Sequence, residues 1–142
     1  MSPEEARSRF ARARVARLAT AGTDGRPHLV PIVFAVTERS AHDVIYSVVD
    51  DKPKRTTALR RLANVSENPR VSVLADHYEE DWDQLWWVRA DGRGRLLTDL
   101  GEPEAAAAVA LLRARYPQQR AIGTVLAVDV ERWSGWAATV AH

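Results

Sequence analysis

Five cations, Lys52, Lys54, Arg55, Arg60 and Arg61, fall within ten positions of the stretch DDKPKRTTALRRL, residues 50–62, of a chain whose formal net charge is only +1. Ammonium and guanidinium groups at that density suit an anion. Lys52 and Lys54 flank Pro53, whose ring restricts the backbone and lowers the ordering cost when an anion meets both. Arg55 can offer parallel N–H donors to two phosphate oxygens. Thr56 or Thr57 is a candidate helix cap, so a phosphate just before it also meets unpaired backbone N–H groups and the positive helix end. Two other uses compete: a nucleic-acid backbone, and a helix face that is merely solvated. Arg60 and Arg61 lie on the helix itself and are read as solvated. Lys52, Lys54 and Arg55 precede it, and phosphate binding is the reading taken for them.

Other chemistries lack their residues. Cysteine is absent, which removes disulfides, thiolate metal sites and thiol nucleophiles. There is no G-x-x-x-x-G-K-[ST] loop, no complete G-x-G-x-x-G and no G-x-S-x-G. The four histidines, 28, 42, 77 and 142, form no H-E-x-x-H pair. His77 beside Glu79, Glu80 and Asp81 reads as a solvated acidic loop rather than a metal site, and no metal is expected. His28, just after the turn at Gly25-Arg26-Pro27, is either a hairpin-end residue or a site residue. No set of side chains composes a catalytic machine, so an enzyme built on this chain needs a cofactor to carry its chemistry. Trp86 and Trp87 are consecutive and, on a strand, must face opposite ways. One can enter a core; the other meets solvent, a partner chain or a flat ring. Trp133 and Trp136 read as core or interface residues.

The elements that must position these residues follow from periodicity and turn chemistry. Ser2-Pro3-Glu4-Glu5 opens a helix to about Arg14. Strands are expected at 15–21 and 28–36 around the turn GTDG, the second carrying Pro31, which needs a free or bulged edge. A third strand covers 43–50. A helix over roughly 57–66 groups Ala58, Leu59, Leu62, Ala63 and Val65 on one face. Then come a strand at 70–76, a hairpin of 84–92 and 93–99 around Asp91-Gly92, a helix from Glu102 to Tyr116, and one or two strands over 121–135. The pattern predicts a mainly β domain spanning 1–142, an antiparallel barrel with helices outside. Its 142 residues can bury a core, and its composition, 46% hydrophobic and 27% charged, is that of a globular protein. No apolar run reaches the roughly 20 residues of a membrane span, and MSPEEARSRF has no apolar signal core, so a cytoplasmic protein is expected. Near-balanced charge and the acidic loop HYEEDWD argue against a nucleic-acid partner.

Three segments together, GRPHLVPIVFAV, IYSVVDDKPKRTTALRRLANVSENPRVSVLAD and WDQLWWVRADGRGRLL, resemble the split-barrel flavin and deazaflavin reductases of the pyridoxamine 5'-phosphate oxidase class. The resemblance covers roughly 15–98 and is strongest to small actinobacterial members that use coenzyme F420. It implies a homodimer of six-stranded antiparallel split β-barrels with cofactors in clefts at the dimer interface. It further implies that His28, Pro31, Ile32 and Val33 lie along the cofactor ring. Ser47, Lys52, Lys54, Arg55 and Thr56 would bind its phosphate end, and the partner's 82–89 segment would cover it, with either Trp86 or Trp87 facing the cofactor. The function implied is F420-dependent hydride transfer to a small organic substrate. The alternatives are an FMN-dependent reductase or oxidase, or a non-catalytic flavin, F420 or haem carrier. The sequence lacks a match to the carboxy-terminal substrate segment of true pyridoxamine 5'-phosphate oxidases, so oxidation of a pyridoxal precursor is not expected.

Overall fold

The computed structural model describes residues 1–49, 56–119 and 122–139, without the side chains of 56–59. Helix α1 (Pro3–Arg12) begins as its residue types predict: the Ser2 hydroxyl accepts the Glu5 N–H at 3.1 Å and Pro3 fills the first turn. Seven strands follow with two more α-helices: β1 (Ala16–Ala21), β2 (Pro27–Ile32), β3 (Phe34–Arg39), β4 (His42–Val49), α2 (Thr56–Glu67), β5 (Arg70–His77), β6 (Trp86–Leu97), α3 (Pro103–Arg115) and β7 (Thr124–Ala137). A single 3-10 turn covers Trp82–Gln84. No helix among the described residues is long and apolar enough to cross a membrane.

All strand pairs are antiparallel, in the order β2-β1-β5-β6-β7-β4-β3. The two strands at the ends of this order are consecutive in the chain and separated by Val33 alone. The sheet therefore curls until its edges meet, and one interior core draws on every strand, through Leu18, Val30, Phe34, Ile45, Val73, Val88 and Leu126. Phe10 of α1 enters that core, with its ring centroid 4.5 Å from Phe34 and 5.2 Å from Trp133. Burying a side chain of that size contributes roughly 1.5–3 kcal/mol. A second cluster lies outside the wall, where Ala108, Leu112 and Tyr116 cover Val44, Tyr46, Val125 and Ala127.

The sequence reading needs correction at two strands. The single strand expected over 28–36 is two, since the chain pairs with β1 up to Ile32 and with β4 from Phe34, and the sheet has seven strands rather than the six that the resemblance implied. Pro31 lies on β2, an edge strand, the kind of strand to which a proline within a sheet is confined. The hairpin expected around Asp91-Gly92 does not form; 86–97 is one strand. Its partner β7 carries the irregularity, since Asp91 pairs with Arg132 and Gly92 with Val130, leaving Glu131 as the bulge. Gly92 serves this crossing, because a Cβ there would come within 2.1 Å of the Asp129 carbonyl oxygen. Gly25, by contrast, turns the β1–β2 hairpin with φ at +73°.

Helix α3 is Ala-rich, and Leu112 is its one large fully buried side chain among the described residues. Polar contacts hold its ends. At the first turn, Glu104 accepts both Arg95 terminal nitrogens at 2.9 Å and the Tyr46 hydroxyl at 2.7 Å. Arg95 also grips Asp129 at 2.6 and 2.9 Å, and His42 meets Asp129 at 3.0 Å. The Arg95 hydrogen bonds, against some burial, bring Glu104 down to about 2. Burial pulls Asp129 upward, yet Arg95 and His42 outweigh it and hold this carboxyl below its usual range. Burial, and next the Glu104 hydrogen bond, push Tyr46 above the ordinary phenol range.

A carboxyl depressed in the folded state stabilises above its unfolded value, here 4.5, and loses that contribution as pH falls toward 2. Glu104→Gln is expected to cost about 1–2 kcal/mol at pH 7, since Arg95 is part-exposed and keeps Asp129. The difference from wild type should shrink between pH 4.5 and 2 in urea denaturation. Equal stability at pH 7 would remove the network from the account of α3.

Candidate functional site

Lys52, Lys54 and Arg55 lie outside the described residues, as does the side chain of Thr56, although the backbone of Thr56 begins α2. The described surroundings are the end of β4, the body of α2 and the β1–β2 hairpin. Ser47, two residues before β4 ends, is 2% exposed, and its hydroxyl has no hydrogen-bond partner among the described residues. It shares its strand face with Ile45 and stands across from Phe34 and Leu126, so it points into the barrel.

On β2 the alternation is strict. Val30 and Ile32 are buried in the core, while Leu29 and Pro31 face out, Leu29 with 67% of its surface exposed. The outer face of this edge strand is thus a flat, apolar, unpaired surface. Ile32, one of the residues expected along a ring, has its side chain in the core and can meet a ligand only through its backbone. Val33 packs partly against the cluster under α3. Leu29 is absent from the sequence-based set, although its place two residues before Pro31 was the available signal.

His28 is half-buried, and its Nδ1 is sealed from solvent without a partner among the described residues. Burial first, then the charges of Arg61 and Arg60, lower its pKa below the usual imidazole range. Arg61 is not simply solvated. It is half-buried, its Nε also lacks a partner among the described residues, and burial lowers its pKa. Arg60 is exposed as expected, but it lines an open cleft of about 370 Å³ with Asp24, Arg26, His28, Leu29 and Asn64.

The helix presents part of the face periodicity selects: Val65 is buried in the core and Leu62 half-buried, but Ala63 is exposed and Asn64 buried, while Ala58 and Leu59 have side chains outside the described residues. Asn64 goes inward because it donates to the buried Thr20 hydroxyl at 3.1 Å, and Glu67 accepts the Thr23 N–H at 3.2 Å. Those bonds dock α2 on the β1–β2 hairpin and bring Arg60 and Arg61 over His28.

Trp86 is the inward member of its pair. It packs on the interior core, stacks against His77 at 6.4 Å, and has Arg9 at 5.7 Å above its ring. Trp87 faces the other way, paired in register with Trp136 and carrying Arg89 at 5.8 Å. Trp133 packs at the core and donates its indole N–H to Asp43 at 2.8 Å, whereas Trp136 is 48% exposed. Trp87 and Trp136 line an open groove of about 340 Å³ with Leu74, Tyr78 and Arg89. Within one chain β1 and β5 separate β2 from β6, so the fold does not bring His28–Val33 together with Trp86 and Trp87 along that wall. His77 contacts Glu79, and no cluster of three or more metal-ligating side chains occurs among the described residues.

The sequence pattern of the pyridoxamine 5'-phosphate oxidase family matches residues 2–137, and the chain belongs to that family. Solved structures agree on the fold. A conserved hypothetical protein from Mycobacterium tuberculosis superposes with a TM-score of 0.73 at 23% identity, over 97% of this chain and 86% of the other. An FAD-binding protein from Mesorhizobium loti gives 0.70 at 26% identity, over 95% and 92%. The haem storage protein of Vibrio cholerae gives 0.67 at 16%, over 96% and 95%. No curated protein matches the sequence. The fold neighbours therefore include flavin-binding and haem-storing proteins.

The two histidines described above should titrate in opposite directions. Asp129 raises the pKa of His42 above 6.5, while burial, Arg61 and Arg60 lower that of His28. In an NMR pH titration His28 should lose its proton at a lower pH than His42, and Asp129→Asn should lower only the latter. The reverse order would contradict the geometry given for both.

Proposed function

We propose that this chain is an F420-dependent oxidoreductase acting on a small organic substrate, with its cofactor bound along β2 and the start of α2. The observation that carries the reading is the pair of buried polar atoms without partners among the described residues where α2 meets that strand: His28 Nδ1 and Arg61 Nε. Buried polar groups are normally paired, so two in one neighbourhood favour a polar ligand. His28 and Leu29 line the same cleft, and Leu29 and Pro31 give this strand an exposed apolar face that suits a flat ring.

Bound deazaflavin would supply the hydride exchanged with the substrate. The protein's part is binding and orientation. Leu29 and Pro31 would offer the apolar face, with Val30 and Ile32 anchoring the same strand in the core. Lys52, Lys54 and Arg55 are assigned to the phosphate. Arg60 and Arg61, beside the Arg26–His28 cleft, form a second cationic group, which fits a cofactor bearing carboxylates as well as a phosphate. This second group is what favours F420 over FMN. The FAD-binding neighbour supports a second reading, in which the same strand holds a flavin.

Titration of the purified protein with F420, FMN and FAD, followed by fluorescence, tests both. F420 binding with little affinity for FMN or FAD is the expected result; retention of a yellow flavin through purification would favour the second reading. Lys54→Ala should weaken binding of the phosphate-bearing cofactor about ten- to a hundredfold, because a charge-assisted hydrogen bond contributes roughly 1.5–3 kcal/mol. An effect below twofold would leave the cations a solvated face.

A homodimer completes the proposal. Trp87 and Trp136, with exposed Tyr78 and Trp82, present an aromatic surface of the kind a partner covers, and a two-fold interface could bring the partner's Trp-bearing segment to β2. Light scattering at micromolar concentration should give twice the 15.8 kDa chain mass. A monomer would exclude a shared cleft.

A further inference from the structure

We infer that Arg115 and Tyr116, at the end of α3, are positioning residues that set the angle of the cofactor strand at the Val33 break. The inference rests on the proposed function, which places the cofactor along β2.

A chain that leaves one ladder and enters another must find new partners for the backbone groups at the switch. At Phe34, the first residue of β3, both are taken by side chains of α3's last turn and the residue after it. The Phe34 N–H donates to the Tyr116 hydroxyl at 3.3 Å, and Arg115 donates to the Phe34 carbonyl at 2.9 Å. Neither side chain stops there. The Tyr116 hydroxyl donates to the Arg14 carbonyl at 2.9 Å, and the other arm of the Arg115 fork reaches the Ala13 carbonyl. Arg14 returns a bond to the Arg115 carbonyl at 3.3 Å.

These contacts close a ring of constraints. Residues 13 and 14 lead into β1, whose first residue, Ala16, pairs with Ile32, the last residue of β2. Ile32, Val33 and Phe34 are thus held from one side by the β1 ladder and from the other by the fork and hydroxyl. The Arg115 guanidinium lies 4.8 Å over the Phe34 ring and 5.4 Å over that of Tyr116, so its orientation is packed as well as hydrogen-bonded. Tyr116 is 8% exposed, and its hydroxyl both accepts and donates, which leaves it one rotamer that serves both bonds.

A purely structural clamp would need only to hold α3 on the wall, and Arg95 and Glu104 already do that at the opposite end. The Arg115–Tyr116 contacts instead converge on the one residue pair where β2 and β3 diverge. Neither side chain is assigned contact with the cofactor; each acts through the backbone of Phe34.

The test compares Tyr116→Phe with Glu104→Gln, each measured for melting temperature and for affinity toward the cofactor the wild type binds, chosen among F420, FMN and FAD. Both should lower the melting temperature. Only Tyr116→Phe should weaken cofactor binding, about five- to tenfold when measured well below its transition, and its Phe34 amide should exchange faster with solvent. Arg115→Met should repeat the loss and Arg115→Lys should recover part of it. Unchanged affinity in Tyr116→Phe with normal binding by wild type would overturn this inference alone. Wild-type protein that binds none of the three cofactors would overturn the functional proposal and the inference with it.

Discussion

The fold turns on one residue that belongs to neither of the ladders it joins. Val33 separates a strand bonded to β1 from a strand bonded to β4, and these are opposite ends of the strand order. Because the covalent chain cannot stretch, the two ends must come together and the intervening five strands must curve. A common interior core is the consequence. The same break leaves β2 with an unpaired edge and an outward apolar face, the surface to which a cofactor is assigned. An unpaired edge is usually a liability for aggregation. Here Pro31 lies on it, and a proline on an edge strand blunts strand addition.

Around this break the protein uses hydrogen bonds where apolar burial is thin. Helix α3 buries alanines and a single leucine, so its seat depends on Glu104 at one end and Arg115 with Tyr116 at the other. The Arg95 cluster joins four separate elements, β4, β6, β7 and α3, through two carboxylates and one guanidinium. Such a cluster stabilises when every member is satisfied, which this one is. Buried polar atoms near β2 behave in the opposite way. His28 and Arg61 each keep a buried polar atom without a partner among the described residues.

Family membership constrains the scaffold more than the chemistry. The fold neighbours include an FAD-binding protein and a haem storage protein, so ligand choice comes from what lines the strand and helix rather than from the barrel. Among the described residues that lining is cationic on α2, where Arg60 and Arg61 stand by His28. That surplus of positive charge beyond the needs of one phosphate is the feature by which the proposed cofactor is distinguished.

By itself the sequence determined the β-rich class, the three helices and their approximate ends, and the edge character of the strand bearing Pro31. These are local matters: caps, prolines and a period of two or 3.6 act within a few residues. It also showed that Trp86 and Trp87 must diverge, since a strand allows nothing else. The tertiary structure decided which one entered the core, because that depends on a neighbour from α1, Arg9, and on His77 across the ladder. It decided that 86–97 runs straight through Asp91-Gly92, since a glycine that looks like a turn was needed for close approach to Asp129. It placed Arg61 against His28 because Asn64 is drawn to Thr20, a contact 44 residues away in the chain. And it joined Arg115 and Tyr116 to Phe34 across more than 80 residues. Partners that distant leave no periodic trace in either segment, so only folding brings them into view.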